Sequence, residues 1–138
     1  MQIRALTDIE RQEWLRLWRT ENVGPIVFRQ LLSRFGSAAA ALEALPAFGQ
    51  RGTKRPFGLP TNASIEDELN RTHKIGARVI AVCEPDYPRT LAAIEDAPPL
   101  ITVLGRLELL HKRSIGIVGA RNASLNGRQM SEVLAADL

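Results

Sequence analysis

The chain of 138 residues is long enough for one domain or two small ones, and its 45% hydrophobic and 24% charged residues exclude a disordered protein. No apolar run approaches the roughly 20 residues of a membrane-spanning helix, so we expect no membrane segment, and the polar N-terminus does not have the pattern of a signal peptide. The single cysteine, Cys83, excludes an internal disulfide and suits a reducing cytoplasm, while nine basic and five acidic side chains in residues 1–60 permit a phosphate-bearing partner without identifying one.

The first part of the chain has the pattern of a helix. Thr7 and Glu10 have the spacing of a capping box, in which each side chain binds a free backbone N–H at the start of a helix. Apolar residues at helical spacing continue to about Thr20 and include Trp14 and Trp18. Because these two tryptophans share one apolar face, we interpret them as core residues rather than as platforms for nucleic-acid bases.

A second and a third helix are predicted after short connections. Pro25 suits the first position of a helix, where its missing N–H costs no hydrogen bond, and Gly36 suits a left-handed C-cap. Ser37 is expected to cap a third helix over residues 38–45, which Pro46 ends.

Residues 49–63 are predicted to be a linker, because they contain glycine and proline but no apolar period. This segment holds the densest basic cluster, Arg51, Lys54 and Arg55, which is a candidate for diffuse contacts with DNA. Solvated surface is the ordinary role of such charges. Ser64 is expected to cap the helix that follows.

From residue 76 the pattern changes to that of an α/β unit. Short apolar runs at residues 79–82, 100–104 and 115–118 predict strands, and continuously apolar runs such as these are expected of strands buried on both faces. Pro88 can begin a helix between the first two strands. The apolar face of a last helix comprises Met130, Val133, Leu134 and Leu138.

The predicted architecture is an all-helical N-terminal module followed by an incomplete α/β unit. A strand such as 115–118 needs neighbouring strands, and the last helix needs a return strand to complete its crossover. We therefore expect the chain to be the front part of a longer protein.

The turn between the predicted strand 115–118 and the last helix has the features of an anion site. Gly119 lets a ligand approach the backbone, and the start of the helix offers free N–H groups. Arg121 adds a planar cation that matches phosphate oxygens, while Asn122 or Ser124 caps the helix or binds the same phosphate. An ordinary turn with a surface arginine explains the same residues equally well. The dinucleotide fingerprint G-x-G-x-x-G is absent, so no NAD or FAD cofactor is expected.

Three blocks of the sequence together resemble one known family. Residues 115–127, IGIVGARNASLNG, are similar to its phosphate-binding turn, with Ala120 where a serine is usual. Residues 86–88 (DYP) and 96–100 (DAPPL) follow its pattern in the same order, and residues 17–37 look like its helical head domain. The family is the DNA-processing protein A family, called DprA or Smf.

The resemblance implies a fold and a function. The fold would be a SAM-like or helix-hairpin-helix-like head over residues 1–75 and a truncated Rossmann-like α/β domain over residues 76–138. The function would be single-stranded DNA binding and recombination mediation during natural transformation, with RecA recombinase and a second copy of the protein as partners. No catalytic residue, cofactor or metal is implied. The residues carried over as phosphate ligands are Gly119 and Arg121 and, more loosely, Asn122 and Ser124.

The connection Val23-Gly24-Pro25 looks like half of a helix-hairpin-helix motif, whose backbone N–H groups contact DNA phosphates. Pro25 removes one donor and the second glycine is missing, so we favour a structural or protein-interaction role for the head. Two other functions stay open: a Rossmann-like enzyme acting on a nucleotide or nucleotide sugar, and a helical protein-interaction module. The lone residues His73, His111 and Cys83 are interpreted as structural or surface residues.

Overall fold

The computed structural model describes residues 3–49 and 58–138, so the predicted basic cluster Arg51, Lys54 and Arg55 lies outside the described residues. A helical N-terminal part precedes a small two-stranded sheet with helices, an arrangement compatible with the α/β class. In chain order the elements are α1 (Asp8–Trp18), α2 (Pro25–Phe35), α3 (Ala38–Gly49), α4 (Asn62–Lys74), β1 (Arg78–Ala81), α5 (Arg89–Ala92), β2 (Leu100–Val103), a 3-10 helix (Leu107–His111) and α6 (Leu125–Asp137). Within the described ranges, none of these helices has the length and apolar character needed to cross a membrane.

The ends of α1 and α2 follow the local signals of the sequence. The Thr7 hydroxyl accepts a hydrogen bond from the Glu10 N–H at 3.2 Å, and the Glu10 carboxylate accepts one from the Thr7 N–H at 2.9 Å. Pro25 occupies the start of α2, and Gly36 ends that helix with a φ of 80°, where a side chain would be strained. The predicted capping box, helix start and C-cap are therefore confirmed.

Two predicted helix boundaries are wrong. Pro46 does not end α3, which continues to Gly49, because a proline this close to a helix end removes a single backbone hydrogen bond from the final turn. The helix α4 begins at Asn62 and has Thr61 as its N-cap instead of Ser64. The Thr61 hydroxyl accepts from the Ser64 N–H at 3.2 Å, which is the hydrogen bond of an N-cap, so Ser64 lies within the first turn of the helix.

The strands β1 and β2 pair antiparallel, with Arg78 opposite Val103 and Ala81 opposite Leu100. The strands predicted at residues 79–82 and 100–104 are therefore present, each with slightly different bounds. A continuous apolar run records burial on both faces, and β1 does bury Val79 and Ile80, but burial carries no information about strand direction.

Among the described residues, one hydrophobic core joins α1 to α4 to the sheet. Phe28 of α2 is completely buried and lies edge-on to two tryptophan rings, Trp14 at 5.2 Å and Trp18 at 6.4 Å between centroids. The same core continues through Ile65 of α4 and Leu100 of β2. The interpretation of both tryptophans as core residues is confirmed, and the boundary between two domains at residue 75 stays a prediction.

One ion pair holds α1 against the segment that follows β1. Arg11 donates to both oxygens of the Glu84 carboxylate at 2.7 Å and also to the Val79 carbonyl at 2.7 Å. The same carboxylate accepts from the N–H groups of Ala81 at 2.8 Å and Leu6 at 3.2 Å. Burial disfavours the charged carboxylate, but these hydrogen bonds outweigh it and lower the pKa of Glu84 below its ordinary value of 4.5.

The region from residue 111 to residue 138 has no buried residue. The predicted buried strand 115–118 is absent from this structure, in which Val118 is 96% exposed and the segment pairs with no described strand. A strand forms only where a neighbour supplies hydrogen bonds, and an apolar pattern cannot supply that neighbour. The apolar face predicted for the last helix, from Met130 to Leu138, is present in α6 and is exposed.

Candidate nucleic-acid interface

The turn before α6 is open to solvent on every side that a ligand would approach. Gly119, Arg121, Asn122 and Ser124 are all exposed, and they lie within six consecutive residues of the chain. A Cβ atom built on Gly119 would meet nothing within 4 Å, which leaves room for a large anion beside the backbone.

The start of α6 leaves backbone donors available to an anion. The Ser124 hydroxyl accepts from the Gly127 N–H at 3.2 Å, which confirms Ser124 as the N-cap. The N–H groups of Leu125 and Asn126, in the first turn, have no partner within the helix. No acidic side chain lies in this first turn, so the positive end of the helix dipole has no negative neighbour there.

Two arginines flank this helix start. Arg121 and Arg128 are exposed, and neither side chain forms a hydrogen bond or an ion pair with the described residues. Arg128 was missed by the sequence analysis, although its position four residues after the N-cap Ser124 places both on one helix face. A cation near a helix N-terminus is unfavourable for the dipole, so its location there suits an anionic ligand.

The hairpin between α1 and α2 has fewer features of a DNA contact. Val23 is buried, and the backbone turns at Asn22 with a φ of 64°. The exposed acidic residue Glu21 lies at the tip, where its N–H donates to the Gly58 carbonyl at 3.3 Å. A carboxylate at this place repels phosphate, which supports the structural interpretation of the hairpin.

The lone residues behave as surface or core side chains. His73 and His111 are exposed. Cys83 is buried in the core, and burial raises the pKa of its thiol, which keeps the sulfur protonated and unreactive.

Comparison with known proteins identifies the chain. Residues 8–71, which include α1 to α3 and most of α4, match the family described as "DprA-like N-terminal HHH domain". Residues 78–138, from the start of β1, match the family described as "DNA recombination-mediator protein A". The chain belongs to the DprA/Smf family.

A curated relative agrees with this assignment. The Protein Smf of Synechocystis sp. is 26% identical to the chain over 146 aligned residues, which cover 96% of this chain and 36% of the relative. The chain therefore spans about a third of the length of that relative. Within the DprA/Smf family, the turn of residues 119–124 lies in the part that matches the recombination mediator, and the head matches the N-terminal HHH domain.

Proposed function

We propose that the protein binds single-stranded DNA as a recombination mediator and that the turn of residues 119–124 holds a backbone phosphate. The observation that carries the proposal is Arg121, an exposed cation without a partner among the described residues, on a turn within the match to the recombination-mediator family. DNA processing is the established theme of that family, and an unpaired guanidinium at a helix start is suited to phosphate.

In this proposal each residue of the turn has a separate task. Arg121 pairs with two phosphate oxygens through its planar fork, and the free N–H groups at the start of α6 donate to the same anion. Gly119 permits close approach, and the Ser124 hydroxyl can donate its proton while its oxygen continues to cap the helix. Asn122 supplies a further amide donor. Phosphate contacts position the strand without reading its bases, so binding is independent of sequence.

The wider activity is part of the same proposal. Residues 76–138 would begin a Rossmann-like DNA-binding domain, the protein would act as a homodimer, and it would help to load RecA recombinase onto DNA in the cytoplasm without being an enzyme. Of the strand, turn and helix from which such a domain is built, the structure has the turn, the N-cap and the 13-residue helix. RecA loading would be observed as faster RecA filament assembly on single-stranded DNA, and Arg121→Ala would reduce this acceleration.

The direct test is DNA binding by Arg121→Ala, measured by fluorescence anisotropy of a labelled oligo-dT over a series of salt concentrations. Loss of one phosphate contact should weaken binding about tenfold and lower the magnitude of the log–log salt slope by about 0.7. Arg121→Lys should recover part of the affinity, because it retains the charge and loses the fork.

The matched control is Arg71→Ala, which removes an exposed arginine from α4, where Arg71 pairs with Asp67 at 3.0 Å. The control should bind DNA nearly as well as the wild type. Unchanged affinity and salt slope in a folded Arg121→Ala protein would exclude the phosphate role of the turn.

A further inference from the structure

A second group of cations lies where α2 meets the connection between β1 and α5. A cavity of about 420 Å³ there includes Arg29 and Arg89 in its walls. A second cavity of about 510 Å³ also includes Arg29, so this side chain belongs to the walls of both. We call the smaller one the Arg29–Arg89 cavity.

The remaining walls of the Arg29–Arg89 cavity are largely apolar. They include Ile3, Val82, Pro85 and Tyr87. The Tyr87 hydroxyl donates to the Pro98 carbonyl at 2.7 Å, which fixes the position of the ring. A ligand in this cavity would therefore meet a fixed apolar surface beside two guanidinium groups.

The one acid in these walls contributes no uncompensated charge. Glu84 already accepts two hydrogen bonds from Arg11, both of 2.7 Å, and further bonds from backbone N–H groups. Arg29, in contrast, donates to the carbonyls of Glu95 and Ala97, which fix the guanidinium and do not neutralise it. The cavity thus has an excess of positive charge.

Arg89 differs from the other arginines of residues 3–49 and 58–103. Five of these, Arg4, Arg11, Arg19, Arg71 and Arg78, pair with carboxylates. Arg16 and Arg29 bind carbonyls, and Arg34 lies over the Phe35 ring. Arg89 is exposed and has no such partner within the described residues 3–49 and 58–103. An arginine that stabilises nothing in the fold is available to a ligand.

We propose that the Arg29–Arg89 cavity holds one nucleotide of the single-stranded DNA, with a backbone phosphate on the two guanidinium groups and the base against the apolar walls. This inference rests on the proposed function and adds a second contact, remote in sequence from the turn of residues 119–124. A nucleotide combines an anion with a flat, largely apolar base in one unit, which fits cations placed beside an apolar surface. An acidic peptide offers the anion without the flat base.

The test uses Arg89→Ala, because Arg89 makes no contact that the fold needs. Binding of labelled oligo-dT should weaken about tenfold, and the salt slope should fall by about 0.7 in magnitude. Arg89→Lys should recover part of the affinity. Arg71→Ala is again the control, since Arg71 is in the wall of neither cavity. Ala92→Trp, which fills the cavity from an exposed position in its wall, should weaken binding without removing a charge.

The outcomes separate this inference from the proposed function. If Arg121→Ala weakens DNA binding and neither Arg89→Ala nor Ala92→Trp does, the inference is overturned and the proposed function stands. If only the cavity variants weaken binding, the phosphate role of the turn is overturned and the cavity is supported. A polyglutamate peptide that binds through Arg89, with DNA binding unchanged in Arg89→Ala, would replace the nucleotide by an acidic polypeptide and overturn the inference.

Discussion

Residues 3–49 and 58–103, the packed region, and residues 111–138, the open region, use similar side chains in opposite ways. In the first region apolar side chains such as Phe28 and Ile80 are buried in one core. In the second, Val118 and Met130 are exposed, although the residue types are as apolar. The amphipathic pattern is therefore present in both regions, but only the first region buries its apolar side chains in a core of its own.

With the exception of Arg89, the arginines show the same division. Arg11 and Arg19 of the packed region are held by carboxylates, whereas Arg121 and Arg128 of the open region have no partner within the described chain. An arginine paired with an acid contributes to the fold, and an unpaired one contributes attraction for anions. The charge partners of each arginine, rather than the number of arginines, therefore indicate which basic residues are available to bind a ligand.

The strongest test of the difference in packing is to shorten one apolar side chain in each region. Phe28→Ala should lower the free energy of unfolding by ~3–5 kcal/mol, because the ring is completely buried between two tryptophans. Leu134→Ala in α6 should cost less than about 1 kcal/mol, since this side chain is already exposed. Urea unfolding followed by tryptophan fluorescence measures both. Equal losses of unfolding free energy would mean that the two regions are packed alike and would contradict the difference described above.

Removing the ion pair between α1 and the segment that follows β1 should have the next largest effect. Glu84→Gln should destabilise the packed region by about 2 kcal/mol, less than the ~3–5 kcal/mol of a fully buried pair, because part of the Arg11 side chain reaches solvent. The same unfolding experiment detects the loss. A change within error would show that the packing of α1 on β1 does not need this pair.

The pH dependence of stability sharpens this second prediction. Because the pKa of Glu84 is lower in the folded state, its stabilisation is complete above the ordinary value of 4.5 and is lost as the pH falls through the folded value. Glu10 adds to the acid loss, since hydrogen bonds from Arg4 and from Thr7 lower its pKa to about 2. The measurement is therefore the difference between wild type and Glu84→Gln, which should shrink as the pH is lowered from 7 to below 4.5.

The smallest expected effect concerns the helix start in the open region. Ser124→Ala removes the N-cap of α6 and should cost this helix about 1 kcal/mol, seen as a loss of helical circular dichroism. Urea unfolding of the packed region should not change, since Ser124 lies outside the core. A shift of that transition would show that α6 and the core unfold together. Ser124→Thr, which retains a capping hydroxyl, is the matched control.

Local signals in the sequence predict several helix ends correctly, but they do not predict long-range contacts. The capping box at Thr7, the C-cap at Gly36 and the N-cap at Ser124 each depend on neighbours within a few residues, so the sequence contains all that is needed. The antiparallel pairing of β1 and β2 joins residues about 20 positions apart, and a pattern of apolar residues does not specify it.

The candidate site shows the same limit. The turn of residues 119–124 is contiguous in sequence and was predicted from its residue types, whereas the Arg29–Arg89 cavity combines residues from three separate stretches of the chain. Arg11 pairs with Glu84, 73 positions later in the sequence, and this ion pair neutralises the acidic charge in the wall of that cavity. No local motif indicates this pairing. Prediction of such a site requires the fold.

The contacts of the N-terminal residues with the segment after β1 affect how this protein folds while it is being synthesised. The Arg4 N–H donates to the Cys83 carbonyl at 2.8 Å, and the Leu6 N–H donates to Glu84, 78 positions later. A ribosome adds ~5–20 residues per second, so the first segment emerges roughly 4–16 s before its partners. During that interval α1 to α4 lack the part of their core that β1 and β2 provide. We therefore expect the head to remain incompletely folded on the ribosome until residue 100 has left the exit tunnel, and to depend on chaperones for that time.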